Sequence, residues 1–310
     1  MKKLVFSIAL VLIISTPVLS QGCSDAGFCT MGAMKPDQTF SRRVNFKLRS
    51  VEMSFYRGTS TLSPVIYSMT ADLNFGLSDK LGLQVKMPYQ WVTGRFANTE
   101  GLGDISLSLT QNLIRNKEFD VNFTLGGKIP TNNSTLTADN GLQLPMYYQT
   151  SLGSYDIIAG LSLLTSKWLI AFGYQQALTA NENAFRYGEW VGFGDREYLS
   201  SYDVGVGLRR GSDIMLRVER SVRFINWAVS FGMLPIYRIT PDKGLIQARE
   251  DAGEIKTTGL ALSYLTGITY HINTTSSVKM LYGYKLLDRK TNPDGLTRDD
   301  VFTFGYLMRF

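Results

Sequence analysis

Hydrophobic and polar residues alternate with a period of two along most of the chain from residue 43 onward, the signature of strands whose two faces meet different surroundings. Leu81, Leu83, Val85, Met87, Tyr89 and Trp91 fall on one face of a clear example, and Gly82, Gln84, Lys86, Pro88 and Gln90 on the other. The segment before it opposes Met69, Ala71, Leu73, Phe75 and Leu77 to Thr70, Asp72, Asn74 and Gly76, with Ser78-Asp79-Lys80 as a tight turn between the two. The pattern predicts twelve strands, at 43–57, 65–78, 81–93, 103–115, 118–130, 145–165, 167–178, 198–211, 213–223, 257–273, 276–288 and 298–310. Residues 226–239 alternate as well, at Trp227, Val229, Phe231 and Met233, and break the even count. They are expected to be a hairpin arm or plug inside the connection 224–256, or one of two extra strands in a fourteen-stranded variant. The apolar phase shifts between Val44, Phe46 and Leu48 and then Val51, Met53 and Phe55, which predicts a bulge.

A soluble sandwich alternates too, so other features must decide. The strands run about ten to thirteen residues against the usual five or six. Aromatics gather toward strand ends, and short turns take turns with long connections, as in bacterial outer-membrane barrels. The expected fold is therefore an all-β, antiparallel transmembrane barrel over residues 43–310, monomeric and in contact with outer-membrane lipid. Phe302, Phe304, Tyr306, Met308 and the terminal Phe310 share one face of the last strand. That ending resembles the C-terminal insertion signal of outer-membrane barrels, which implies the barrel-insertion machinery as a partner in biogenesis. A soluble edge strand would instead expose a row of aromatics to water.

Lys2 and Lys3, the apolar run from Leu4 to Ile14, and Val18-Leu19-Ser20 read as a signal peptide over 1–20; the run is too short to span a bilayer. Loss of those lysines lowers the formal charge from +6 to +4, which gives no reason to expect nucleic acid as a partner. Residues 21–42 have no apolar period and read as a periplasmic tail holding the two cysteines, Cys23 and Cys29. Three fates are open for them. They form a disulfide, or they bind Cu(I) together with Met31 and Met34, or Cys23 is lipidated, although Leu19 is one position too far away for a lipobox. No cofactor is expected.

On this register Asp72, Gln84, Lys86, Gln90, Asp104, Lys128, Asp203, Arg209, Arg217, Glu219, Lys279, Lys285 and Arg309 point inward. The set taken to line the lumen is Asp72, Lys86, Asp104, Lys128, Arg209, Arg217, Glu219 and Lys279. Both signs occur together, which predicts a hydrated and salt-bridged interior. One connection crowds Phe185, Tyr187, Trp190, Phe193 and Tyr198 beside Arg186, Asp195 and Arg196. The first four are expected either to capture apolar solutes or to fold down as a plug. The single histidine, His271, lies near a predicted periplasmic turn and is followed by Ile272 and Asn273, so no nucleophile is paired with it in sequence. A non-enzyme is expected.

Three short motifs complete the reading: Gly101-Leu102-Gly103-Asp104, Lys128-Ile129-Pro130-Thr131 and Gly153-Ser154-Tyr155-Asp156. With Met87-Pro88-Tyr89 they resemble the outer-membrane family named for the MetA pathway of phenol degradation, itself similar to FadL-like transporters of hydrophobic compounds. The likeness covers roughly residues 65 to 210 and the C-terminal strands. The glycines suit tight turns, and a proline cannot donate to a ladder. The resemblance implies a kinked strand that opens a lateral passage, marked here by Pro88, Pro130 and Gly153. The function expected is passive uptake of small hydrophobic or aromatic molecules. Two alternatives stand beside it, a structural or adhesive barrel that binds a partner through its loops, and copper handling by the tail.

Overall fold

Leu81–Thr93 shows why the two-faced segments become long strands: its branched and aromatic residues favour extended backbone, and alternation gives lipid and lumen one face each. The structure, a computed structural model, describes Met31, Met34, Lys35 and residues 47–310. In chain order the strands are β1 (Lys47–Thr59), β2 (Val65–Gly76), β3 (Leu81–Thr93), β4 (Asn98–Leu102), β5 (Ile105–Arg115), β6 (Phe119–Ile129), β7 (Asp156–Thr165) and β8 (Trp168–Ala177). A one-turn helix α1 (Arg196–Ser200) follows, then β9 (Val204–Arg209), β10 (Asp213–Arg223), β11 (Trp227–Arg238), β12 (Lys243–Gln247), β13 (Gly259–His271), β14 (Ser276–Leu287) and β15 (Asp300–Arg309). Twelve strands, all but β4, β9 and β12, form the wall in antiparallel order, and β1 pairs with both β2 and β15. The sheet closes on itself and keeps no free edge.

Met53, Met69, Leu109, Phe172, Phe231 and Phe304 stand exposed on the outer surface, where a lipid-facing band belongs. No helix among the described residues is long and apolar enough to cross a membrane; the strands cross it. Short turns such as 77–80 and 166–167 lie at the end that carries Phe310, and the long connections 130–155, 178–212, 239–258 and 288–299 lie at the other. That asymmetry sets the short turns in the periplasm and the long connections outside the cell. The chain is an outer-membrane β-barrel.

The count of twelve holds, but one member differs from the expectation. Residues 198–211 do not build wall: they supply α1 and β9, and β9 pairs with β12 inside the external connections. Residues 226–239 are wall, as β11 between β10 and β13. Alternation cannot separate the two cases, because β9 buries Val204 and Leu208 within the protein while β11 turns Trp227, Phe231 and Met233 to lipid. The expected strand 145–165 begins only at Asp156, and the phase shift in β1 is a bulge between Leu48 and Ser50.

Candidate functional site

One rung of the inner face carries charge across five adjacent strands, because the register sets Glu52 against Asp72, Asp72 against Lys86, Lys86 against Ser106 and Ser106 against Lys128. Lys279 Nζ lies 3.4 Å from Glu52, Lys128 Nζ 3.6 Å from Asp104, and Arg217 bonds Glu219 at 2.7 Å. These groups border a lumen cavity of about 560 Å³ that reaches from Gln149 and Arg298 near the exterior to Thr274 and Arg309 near the periplasm. Eight lysines and arginines and five carboxylates line it. The opposite wall is oily, with Ile158, Leu169, Ala171, Met215, Leu234 and Leu265 in one buried cluster on β7, β8, β10, β11 and β13.

Part of the expected periplasmic tail sits in this lumen. Met31 and Met34 are fully buried on the oily wall, and each contributes about 1.5–3 kcal/mol by leaving water. Lys35 Nζ reaches across to Glu52 at 3.0 Å and Asp72 at 2.6 Å. Burial opposes its charge, but the two carboxylates outweigh burial and hold its pKa above the ordinary lysine value. Gly160 makes the seat possible, since a Cβ there would stand 2.9 Å from Met34 Sδ. Alternation carried no signal for these contacts, because the segment has no period of its own.

Aromatic rings cluster at the outer mouth. Phe96 lies 4.8–5.5 Å, centroid to centroid, from Tyr148, Trp190, Phe193, Tyr198 and Tyr202, and the group packs on Ile66 and Val92 of the wall. Phe185 and Trp190 are buried in this lid, and Tyr187 and Phe193 pack against it. Trp190 Nε1 donates to the Gln143 carbonyl, and the Arg95 guanidinium covers the Tyr198 ring at 4.1 Å. Below the lid, Arg238 binds Asp213 at 2.8 Å and both Asp242 and Asp294 at 2.9 Å, which ties two connections to β10. Asp203 accepts backbone N–H groups of Arg249 and Asn292. Burial raises the Asp203 pKa, and those two donors offset only part of that rise.

The wall changes partner at Pro88. β3 pairs with β5 through Leu81–Lys86 and with β4 from Tyr89 onward, so Met87 and Pro88 stand at a break on that edge. Pro88 brings no N–H; its carbonyl accepts the Gly103 N–H at 2.8 Å. A Cβ at Gly103 would meet Gln90 Nε2 at 2.9 Å and Pro88 Cγ at 3.0 Å, so glycine permits this approach. Asp104 follows at once and lines the cavity, as does Pro88.

Other positions fall elsewhere. Pro130 comes after the end of β6 and interrupts no ladder, because the last β5–β6 pair is Ile105 with Ile129. Gly153, with φ +67°, belongs to the connection before β7 and lies against Asn133 and Ser134. Neither kinks a wall strand. Arg209 ends β9 inside the external connections, where its Nε donates to the Ala177 carbonyl, and it does not border the cavity. Asp72, Lys86, Asp104, Lys128, Arg217, Glu219 and Lys279 border it. Cys23 and Cys29 lie outside the described residues, and among those described no group of His, Cys, Asp and Glu is placed to hold a metal ion. His271 Nδ1 is 3.0 Å from Ser277 Oγ, a pairing the sequence spacing does not show. Ser277 is fully buried, and His271 has no carboxylate partner among the described residues, so the pair lacks both access and an orienting acid.

No model of a known protein family matches the chain, and no curated protein matches it. Solved structures do. The COG4313 outer membrane channel from Pseudomonas putida F1 superposes with a TM-score of 0.57 at 12% identity, covering 88% of this chain and 99% of that one. The KdgM porin superposes at 0.44 with 8% identity over 84% of this chain and 99% of its own. The CymD monoaromatic hydrocarbon channel gives 0.41 with 10% identity over 96% and 99%. At these identities the first likeness establishes the barrel fold, in agreement with the strand order.

Proposed function

We propose that this barrel is a passive outer-membrane channel for small hydrophobic or aromatic molecules, which cross the lid, occupy the lumen and leave sideways through the wall beside Pro88. The observation that carries the reading is the break at Pro88, where β3 changes partner next to a lumen cavity whose lining mixes charged groups with Leu164, Leu265 and Leu281. Such apolar lining suits an apolar solute, and a ladder short of one donor costs less to part there than elsewhere. The solved channel that shares the fold supports a channel role. Phe185, Tyr187, Trp190 and Phe193 would meet solute first, when the lid opens.

Pro88→Val restores the missing donor and the test is uptake of an apolar solute, such as ethylbenzene, into cells that carry the assembled variant. Uptake should fall severalfold while the barrel stays heat-resistant; unchanged uptake removes the lateral route. A barrel that only binds a partner through its loops is favoured by one observation, the packing of a lid at the outer mouth and of a tail segment inside the lumen. Liposome swelling separates the two. Flux of small solutes through wild-type or lid-opened protein speaks for the channel, and no flux in either speaks for the binding barrel.

A further inference from the structure

The cavity beside the wall break is bordered by a buried carboxylate oxygen whose hydrogen-bonding capacity is unused. Asp104 is 6% exposed; its Oδ2 accepts the Leu152 N–H at 3.2 Å and faces Lys128, while its Oδ1 has no partner among the described residues. Asp104 borders the lumen cavity. An empty carboxylate oxygen out of water is costly, and such atoms as a rule acquire a ligand or a water.

We infer that Asp104 Oδ1 is a subsite for the hydroxyl group of a neutral, mainly apolar molecule held at the threshold of the wall break. This rests on the proposed reading of the lumen as a solute path. The chemistry narrows the class in three steps. A carboxylate oxygen only accepts, so the ligand must carry a donor. Lys128 already balances the Asp104 charge, and cations outnumber carboxylates around the cavity by eight to five, so an ammonium ligand is disfavoured. An anion would face the Asp104 carboxylate itself. A hydroxyl remains, able to donate to Asp104. Pro88, Met146, Leu152 and Leu296 give the same cavity apolar surface for the rest of the molecule, and its volume accommodates a single ring.

The test measures affinity on purified, amphipol-held protein by titration calorimetry, with empty amphipol as the blank. The probes are benzyl alcohol, ethylbenzene, in which methyl replaces hydroxyl, and benzylammonium. Benzyl alcohol should bind about tenfold tighter than either, the usual size of one charge-assisted hydrogen bond. Asp104→Leu should erase that preference. If the leucine variant does not assemble, Asp104→Asn keeps the size and leaves only a neutral acceptor, and should narrow the preference at least threefold. Equal affinity for alcohol and hydrocarbon, tighter binding of benzylammonium, or an unchanged preference in either assembled variant overturns the inference. Because affinity is read at equilibrium, it separates from transport. Equal affinities beside uptake that depends on Pro88 overturn the subsite alone, and a tenfold preference beside uptake indifferent to Pro88 supports the subsite while removing the lateral exit.

Discussion

The Lys35 ammonium lies 2.6 Å from the Asp72 carboxylate, a contact between residues 37 positions apart that fastens an N-terminal segment to the inner wall of the barrel. The pair is largely buried, and the same ammonium serves Glu52. Removing one partner of such a site leaves uncompensated charge and costs about 3–5 kcal/mol. Lys35→Met should therefore loosen the tail, raise single-channel conductance and shift the reversal potential toward cations, since Glu52 and Asp72 would then face open lumen. Identical conductance and selectivity in planar bilayers would contradict this arrangement.

Gly160 offers a test of the same seat from the opposite wall. A side chain there collides with Met34, which is fully buried and has little room to retreat. Gly160→Val should cost about 1–3 kcal/mol through overpacking and release the tail, with the strands intact. Proteolysis N-terminal to β1 should accelerate in folded protein. Equal clipping rates for variant and wild type would count against the seat.

Phe96 touches five other rings of the lid. Truncation to alanine removes those contacts and leaves a cavity, at about 3–5 kcal/mol. Because the lid is separate from the wall ladder, Phe96→Ala should open the mouth without unfolding the barrel. Faster liposome swelling with an unchanged heat-modifiable band on gels is the expected result, and swelling at the wild-type rate would show that the lid does not limit flux.

Asp203 joins three external connections through the N–H groups it accepts. Its pKa is raised by burial, so the folded loops bind its proton more tightly than the unfolded chain does. That contribution to stability is complete below the unfolded aspartate value and is lost as pH rises through the higher folded value. Mild acid, just above the ordinary aspartate range, should thus protect the loops from protease relative to neutral pH. Asp203→Asn, neutral at every pH, should flatten the Asp203 part of that dependence; a full wild-type profile in the variant would exclude Asp203 as its source.

Much of the barrel is readable in the chain because alternation is a local property. Leu81–Thr93 and Asp213–Arg223 have the limits their pattern predicts, and the inward phase of Lys86, Asp104 and Lys128 follows from it. Where the pattern misled, at residues 198–211, an apolar face was present but its neighbour was the lid, not lipid. Pro130 and Gly153 carry the residue types of a kink, yet lie where no ladder exists to be interrupted. Phe96, Tyr148 and Tyr202 carry no joint signal in the sequence, because they come from three separate connections and have no shared period.

The amino-acid order alone was enough for a barrel of two-faced strands, twelve or fourteen of them, since lipid outside and polar lumen inside impose opposite demands on successive residues. Which apolar segments built the wall, what entered the lumen and which carboxylate met the Pro88 break were matters of pairing between residues far apart in the chain. Lipid and a buried lid reward the same apolar side chains, so β9 and β11 look alike in sequence and differ only by the strands that accept them. The mean hydropathy near zero is likewise an average of two opposed surfaces, and their separation in space is what gives the barrel its lipid-facing exterior and its charged lumen.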